Sequence, residues 1–223
     1  SLYLERDLGW SGLLVEATGD SFDILMSKHR KAWAAHACLA SYPYPHTASL
    51  VKLSKQGHHL EPQEKIGLQN HNALMNSPGL QIRTGMTYTT YEQVQCFPLQ
   101  AMLNALNVTH VNFVSLDVEG VEDLVLSSFW GSGMEVDVWM VEHLNSNKLP
   151  HEKDVIDYQF IKEFELQGYS LYTIHFGQPM DYVFIRNGTK IHQQSFSKRP
   201  HTVDKACPFW NSKACKDYNQ NKS

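Results

Sequence analysis

The sequence lacks three features that would assign it at once to a broad class of protein. No apolar run reaches the ~18 residues that a membrane-spanning helix needs, and no secretory signal peptide is visible. The net charge of −4 and the sequence pI near 6.3 give no electrostatic reason to expect nucleic-acid binding. The histidines lack the tight His/Cys spacing of a zinc site. Because the chain begins at Ser1 and not at Met, an upstream signal or membrane anchor stays an open alternative.

Cysteine is scarce, but its number is even, since the chain has four. Cys207 and Cys215 lie close together in a polar tail, where a disulfide worth about 2–3 kcal/mol orders the chain more easily than burial. We predict a Cys207–Cys215 bridge and also a Cys38–Cys96 bridge. Several Asn-x-Ser/Thr glycosylation triplets accompany these cysteines. Together they favour an oxidising luminal or extracellular setting, with buried free thiols in a cytosolic protein as the alternative.

Helical and extended patterns alternate along most of the chain. The 223 residues, 42% of them hydrophobic, are enough for one α/β domain over residues 1–189, followed by a polar, cysteine-containing tail over residues 190–223. Alternation of this kind is typical of a parallel sheet. The last two strands are too close for a helical crossover and must form an antiparallel hairpin. The predicted elements are a helix stopped by Gly9, a strand at 12–16, a helix capped by Asp20 or Ser21, a strand near 37–39, a strand at 49–53, a long loop at 56–85, an extended segment at 87–96, helices at 99–106, 121–129 and 154–167, and strands at 111–116, 136–142, 169–176 and 182–185.

Two acids close the strand predicted at residues 111–116. Asp117 and Glu119 follow an apolar, β-branched run of the kind that forms a buried parallel strand. Ligands of open α/β sheets sit at the carboxyl ends of such strands, so these two carboxylates lie where chemistry is expected. The alternative is that Asp117 caps the next helix and Glu119 stabilises its dipole.

Four stretches of the chain carry a family resemblance. They are residues 2–17 (LYLERDLGWSGLLVEA), 31–33 (KAW), 37–39 (ACL) and 115–122 (SLDVEGVE). Together they resemble the FkbM-type methyltransferase domain, and within that family its animal Star-like branch. The resemblance covers residues 1 to 187.

The resemblance implies a Rossmann-like class I methyltransferase fold that binds S-adenosylmethionine. Glu16, at the end of the second family strand, would accept hydrogen bonds from the ribose hydroxyls, since a carboxylate can accept from two vicinal O–H donors. Ala17 would adjoin it. Cys38 and Leu39, at the end of the next strand, would lie near the adenine edge.

The resemblance also implies the residues of the methyl-transfer region. Asp117 and Glu119 would face it as a base, a substrate anchor or a cation ligand. Glu142, at the end of the following strand, is a further candidate. For each of these acids, helix capping or structural pairing is the alternative.

One family feature is missing from the sequence. The family has a first strand and a turn of the form acidic-x-Gly-x-x-x-Gly before the opening helix, and this chain begins inside that helix. The first strand fills the middle of the sheet, and the glycines let the backbone approach the cofactor. We therefore expect two strands without their shared partner, poor folding of this chain alone, and little or no activity.

Two functions from different classes are compatible with the resemblance. The first is methyl transfer from S-adenosylmethionine to an unknown acceptor, if the full-length protein carries the glycine-rich turn. The second is a non-catalytic Star-like protein that assists transport of membrane cargo from the endoplasmic reticulum to the Golgi. Both imply the secretory pathway or the extracellular space, no nucleic acid, and membrane contact only through an upstream anchor.

Overall fold

The computed structural model describes residues 1–55, 72–74, 86–143, 156–175 and 180–197. These residues form a mixed α/β protein with six helices and ten strands. The helices are α1 (Leu2–Leu8), α2 (Gly19–Ser27), α3 (Leu99–Ala105), α4 (Glu122–Phe129), α5 (Tyr158–Leu166) and α6 (Lys190–Ser197). The strands are β1 (Leu13–Glu16), β2 (Trp33–His36), β3 (Cys38–Leu39), β4 (His46–Lys55), β5 (Asn72–Leu74), β6 (Met86–Phe97), β7 (His110–Leu116), β8 (Glu135–His143), β9 (Tyr169–His175) and β10 (Met180–Arg186).

The strands are arranged in three sheets. β1 and β2 form a parallel pair of their own. A four-stranded sheet has the order β7-β8-β10-β9, with β7 and β8 parallel and β10 antiparallel to both of its neighbours. A second four-stranded sheet has the order β3-β6-β4-β5. The predicted terminal hairpin is therefore confirmed, whereas β1 and β7 belong to different sheets.

The main core lies on the β7-β8-β10-β9 sheet and is rich in aromatic rings. Trp139 and Phe184 are completely buried on neighbouring strands, and Phe164 of α5 stacks on Phe184 with ring centroids 3.8 Å apart. Each buried aromatic side chain removes a large apolar area from water. Because β7 and β8 are parallel, their carboxyl ends lie at the same edge of this sheet.

Glycine ends two helices where the sequence predicts that it should. Gly9 follows α1 with φ of 68°, and Gly168 follows α5 with φ of 84°. Both values lie in the left-handed region that favours glycine, so both predicted stops are confirmed. The predicted cap of α2 is wrong, because the side chain of Thr18 accepts the Ser21 amide and the helix already begins at Gly19.

The predicted irregular segment contains a long antiparallel pairing. β4 and β6 pair from His46↔Cys96 to Lys55↔Met86, which extends the predicted strands at 49–53 and 87–96. Most of the loop predicted at 56–85 lies outside the described residues. β5 lies in the described part of that predicted loop and pairs with β4 as a short antiparallel strand.

The predicted Cys38–Cys96 disulfide is confirmed. The two residues are register partners on β3 and β6, with Cα atoms 4.3 Å apart. Their side chains form a small second core with Ala40, Leu50 and Val94. The predicted Cys207–Cys215 bridge lies outside the described residues.

The helices at the two ends of the described chain, α1 and α2 near its start and α6 near its end, contain no buried residue. α6 lies at the start of the segment that the sequence assigned to a polar tail. Among the described residues, the structure contains no helix long and apolar enough to cross a membrane.

Candidate functional site

Carboxylates gather at the carboxyl ends of three strands. β1 ends in Glu16, β7 is followed by Asp117 and Glu119, and β8 carries Glu142 one residue before its end. Asp117 acts electrostatically on both Glu16 and Glu142, and Glu119 acts on Glu142. The structure therefore brings together the four acids that the sequence singled out.

Glu142 has the most perturbed environment of this group. It lies directly opposite Asp181 in the antiparallel β8–β10 pairing, and like charges in such a pair repel each other. Burial, followed by the charges of Asp117, Glu119, Asp181 and Glu122, raises the pKa of Glu142 to about 8. At neutral pH Glu142 therefore holds a proton, which is the property of a carboxylic acid that can donate a hydrogen bond.

Glu16 lies at an exposed position where β1 ends. Partial desolvation, and then the charge of Asp117, raise the pKa of its carboxyl above the ordinary value. Its backbone carbonyl accepts the amide of Ala37, which holds the ends of β1 and β2 together. The carboxylate is thus available to a ligand while its backbone is fixed.

The turn after β7 is built around Glu122. Glu122 is 4% exposed, and its Oε1 accepts the amides of Val118 at 3.1 Å and Gly120 at 3.0 Å. Burial raises the pKa of Glu122, and these amides oppose the rise. Val121, and not Asp117, occupies the cap position of α4, and Val121 makes no side-chain cap bond there.

A buried imidazole lies next to this turn. His143, 5% exposed, has its Nε2 3.2 Å from Asp157 Oδ2 and its Nδ1 3.7 Å from Asp123 Oδ1. Its ring stacks on Phe160 with centroids 3.9 Å apart. The side chain of Asp157 also caps α5 by accepting two amides. His143 therefore joins the end of β8 to the beginnings of α4 and α5.

The three other predicted cofactor residues lie in a more apolar setting. Cys38 is 6% exposed and its sulfur is bonded to Cys96, and Leu39 is 9% exposed in the main core. Ala17 packs against the small core around the disulfide. Cys38 therefore has no free thiol with which to contact a ligand.

Sequence reasoning missed three polar residues near these strand ends. Asp181 comes opposite Glu142 only through the register of the hairpin. Glu122 was part of the quoted motif but had no assigned role. Glu92 of β6 accepts the amide of Gly19 at 3.0 Å and lies 3.9 Å from His36 Nε2. The local signals were the position of Asp181 at the start of the last strand and the presence of Glu122 in the quoted motif.

The group can bind protons and attract cationic groups. Within the described ranges, no set of three or more His, Cys, Asp or Glu side chains is arranged so that it could hold a metal ion. A separate concavity of about 160 Å³ lies at the opposite end of the sheet and is lined by residues that include Trp130, Tyr169 and Arg186. Arg186 is already paired there with Glu135 at 2.8 Å and Asp137 at 3.1 Å. The acids at the strand ends are thus the stronger candidate for chemistry.

Comparison with known proteins adds no assignment. The chain has no significant match among protein-family models, curated proteins or solved structures. The class that the fold defines is therefore a mixed α/β protein, and the carboxylates at its strand ends have to be interpreted from their own geometry.

Proposed function

We propose that this chain is an FkbM-like, S-adenosylmethionine-dependent methyltransferase domain. The observation that carries the proposal is the sheet order β7-β8-β10-β9, which ends in an antiparallel hairpin, together with the separate parallel pair β1-β2. In doubly wound sheets the first strand lies between the second and the fourth. If β1 and β2 are the second and third family strands, and β7 is the fourth, the order agrees with such a sheet from which the first strand is left out.

The position of the acids supports the same proposal. Glu16 and Asp117 stand at the ends of β1 and β7, the two strands that would flank the first strand, and they interact electrostatically. A carboxylate at the end of β1 fits the vicinal hydroxyls of a ribose, because it offers acceptors to both. The glycine-rich turn that would approach the rest of the cofactor has no counterpart in this sequence. The residues present therefore fit the nucleoside half of the cofactor.

The carboxylates supply acid–base chemistry. S-adenosylmethionine, when bound, supplies an electrophilic methyl group on a sulfonium sulfur. Asp117 or Glu119 would take the proton that an O–H or N–H acceptor loses as it is methylated. Glu142, protonated at neutral pH, would hold the acceptor by donating a hydrogen bond. Because the glycine-rich turn is missing, we predict little or no turnover by residues 1–223.

Calorimetric titration with S-adenosylmethionine tests the proposal. The chain is compared with a version extended at its N-terminus by an apolar strand and an acidic-x-Gly-x-x-x-Gly turn. We expect only the extended chain to bind, and Glu16→Ala to weaken binding about 10- to 100-fold, the loss of a hydrogen-bonded charged group. Asp23→Ala, which removes an exposed acid from α2, is the matched control. A folded extended chain that fails to bind, or that binds equally well without Glu16, contradicts the proposal.

A non-catalytic role in the secretory pathway is the second candidate. The disulfide Cys38–Cys96 is compatible with an oxidising compartment and therefore with a Star-like protein that assists export of membrane cargo. It is equally compatible with a luminal methyltransferase acting on a secretory acceptor. A folded, extended chain without cofactor affinity would favour the cargo-binding role.

A further inference from the structure

We propose that Glu122 is a positioning residue for the candidate site: its buried carboxylate is the acceptor around which residues 117–121 fold, and it thereby sets where Asp117 and Glu119 stand. The inference rests on the proposed function only for the chemical use of those two carboxylates. The positioning role itself is inferred from the geometry of the turn.

The hydrogen bonds place Glu122 at the centre of the turn. One oxygen, Oε1, accepts from the amide before Glu119 and from the amide after it, at 3.1 Å from Val118 N and 3.0 Å from Gly120 N. Amides that lose a buried acceptor become unsatisfied, so the turn would have to change its path without this oxygen. The carboxylate thus fixes the backbone on both sides of Glu119.

The backbone of the turn is one that side-chain-bearing residues seldom adopt. Glu119 has φ of 59° and Gly120 has φ of 99°. Glycine tolerates such values, whereas a non-glycine residue stays there only when its surroundings hold it. The hydrogen bonds that the Val118 and Gly120 amides donate to Glu122 help to hold Glu119 in this conformation. This backbone also determines the direction in which the side chain of Glu119 leaves the turn.

The position of Glu122 makes it a rigid anchor. It is the first residue of α4, and the same helix buries Val125, Leu126 and Phe129 in the main core. His143 favours the ionised form of Glu122 electrostatically. The turn is therefore attached to the core through the side chain of Glu122 and not only through the backbone.

Two substitutions separate the effect of side-chain length from the effect of charge at residue 122. Glu122→Gln keeps an oxygen at the same distance and removes the charge, while Glu122→Asp keeps the charge and shortens the side chain by one methylene. We expect E122D to accelerate hydrogen exchange of the Val118 and Gly120 amides by about tenfold, the factor for loss of a hydrogen bond, and E122Q to leave it nearly unchanged. Asp123→Asn, which removes the neighbouring acid whose partner is His143, is the matched control.

A second readout follows the carboxylates themselves. Asp117 and Glu119 help raise the pKa of Glu142 to about 8, so displacement of the turn must lower it. Carbon-13 NMR titration of the full chain should find the Glu142 midpoint clearly lower in E122D, whereas in E122Q it should fall only by the contribution of the Glu122 charge, the smallest of the four charges that raise it. A purely structural role for residue 122 would not produce this difference between the two variants.

Three results would overturn the proposal. They are slow amide exchange retained in E122D, equal loosening of the turn in E122Q and E122D, and a Glu142 midpoint that does not follow the exchange rates. If E122D does not fold, Gly120→Ala replaces it, because alanine does not readily adopt φ of 99°. A Glu142 midpoint unchanged in G120A then rejects the inference. None of these readouts uses S-adenosylmethionine, so a loosened turn in E122D together with no cofactor binding rejects the proposed function alone.

Discussion

Reduction of the Cys38–Cys96 disulfide should destabilise the protein by an amount that the fold allows us to calculate. The bridge joins residues 58 positions apart. In the chain-entropy model, a loop of that length gives about 4 kcal/mol of stabilisation at 25 °C, because the cross-link restricts the unfolded chain. Among the described residues, β3 and β6 share only the pairs Cys38↔Cys96 and Leu39↔Phe97, so few backbone pairs tie the β4–β6 pair of strands to this edge.

The measurement is urea unfolding followed by the fluorescence of the chain's five tryptophans. Because Cys96 is fully buried and Cys38 is 6% exposed, reductant must be added to the unfolded protein, which is then refolded. The Cys38→Ala/Cys96→Ala double variant is the control and should not respond to reductant. We expect the reduced wild type to unfold with a free energy lower by about 4 kcal/mol.

A difference under about 1 kcal/mol between the oxidised and reduced forms would refute the reasoning, since it would mean that the bridge does not restrict the unfolded chain as assumed. Mass spectrometry of unreduced peptides from the same sample checks both predicted pairings. Four free thiols would contradict the Cys38–Cys96 and the Cys207–Cys215 bridges and remove most of the support for a luminal setting.

Two further predictions concern titration and helix capping. The pKa of Glu142 is raised to about 8 from an ordinary 4.5, so the folded state binds more protons than the unfolded state between these values, and the free energy of unfolding should fall as pH rises through that window. Glu142→Gln should flatten this fall, by on the order of 1–2 kcal/mol between pH 5 and 8 once solvent screening is allowed for, and a slope identical to wild type in urea titrations would contradict the assignment. Asp157→Ala should lower the stability by about 1–3 kcal/mol, because it removes both the cap of α5 and the partner of His143. Asp157→Asn keeps a capping oxygen and should lose less in thermal unfolding, and equal losses would mean that capping contributes nothing.

Local patterns predicted much of the element order correctly. Gly9 and Gly168 end helices because a left-handed residue after a helix is a property of a few consecutive positions. The β9–β10 hairpin was predictable because a short connection leaves only an antiparallel pairing. The cap of α2 was not, because Thr18, Asp20 and Ser21 are all capable of capping and the backbone path selects the first.

The candidate site was only partly predictable. Asp117, Glu119 and Glu142 could be placed because acids that close apolar strands fall at one edge of a sheet. Asp181 could not, since its place opposite Glu142 depends on the register between two strands far apart in sequence. The role of Glu122 was hidden for a similar reason, because which amides a carboxylate accepts depends on the path of the turn around it.

The sequence by itself determined the alternation of helices and strands, the helix stops and the acids at the strand ends, because these depend on neighbouring residues. Only the tertiary structure decided that β1 and β7 belong to different sheets, that β3 and β6 run parallel where the disulfide joins them, and that Glu142 keeps its proton near neutral pH. Strand register, burial and the combined field of several charges all depend on residues that are distant in the chain. Only the folded arrangement brings those residues together.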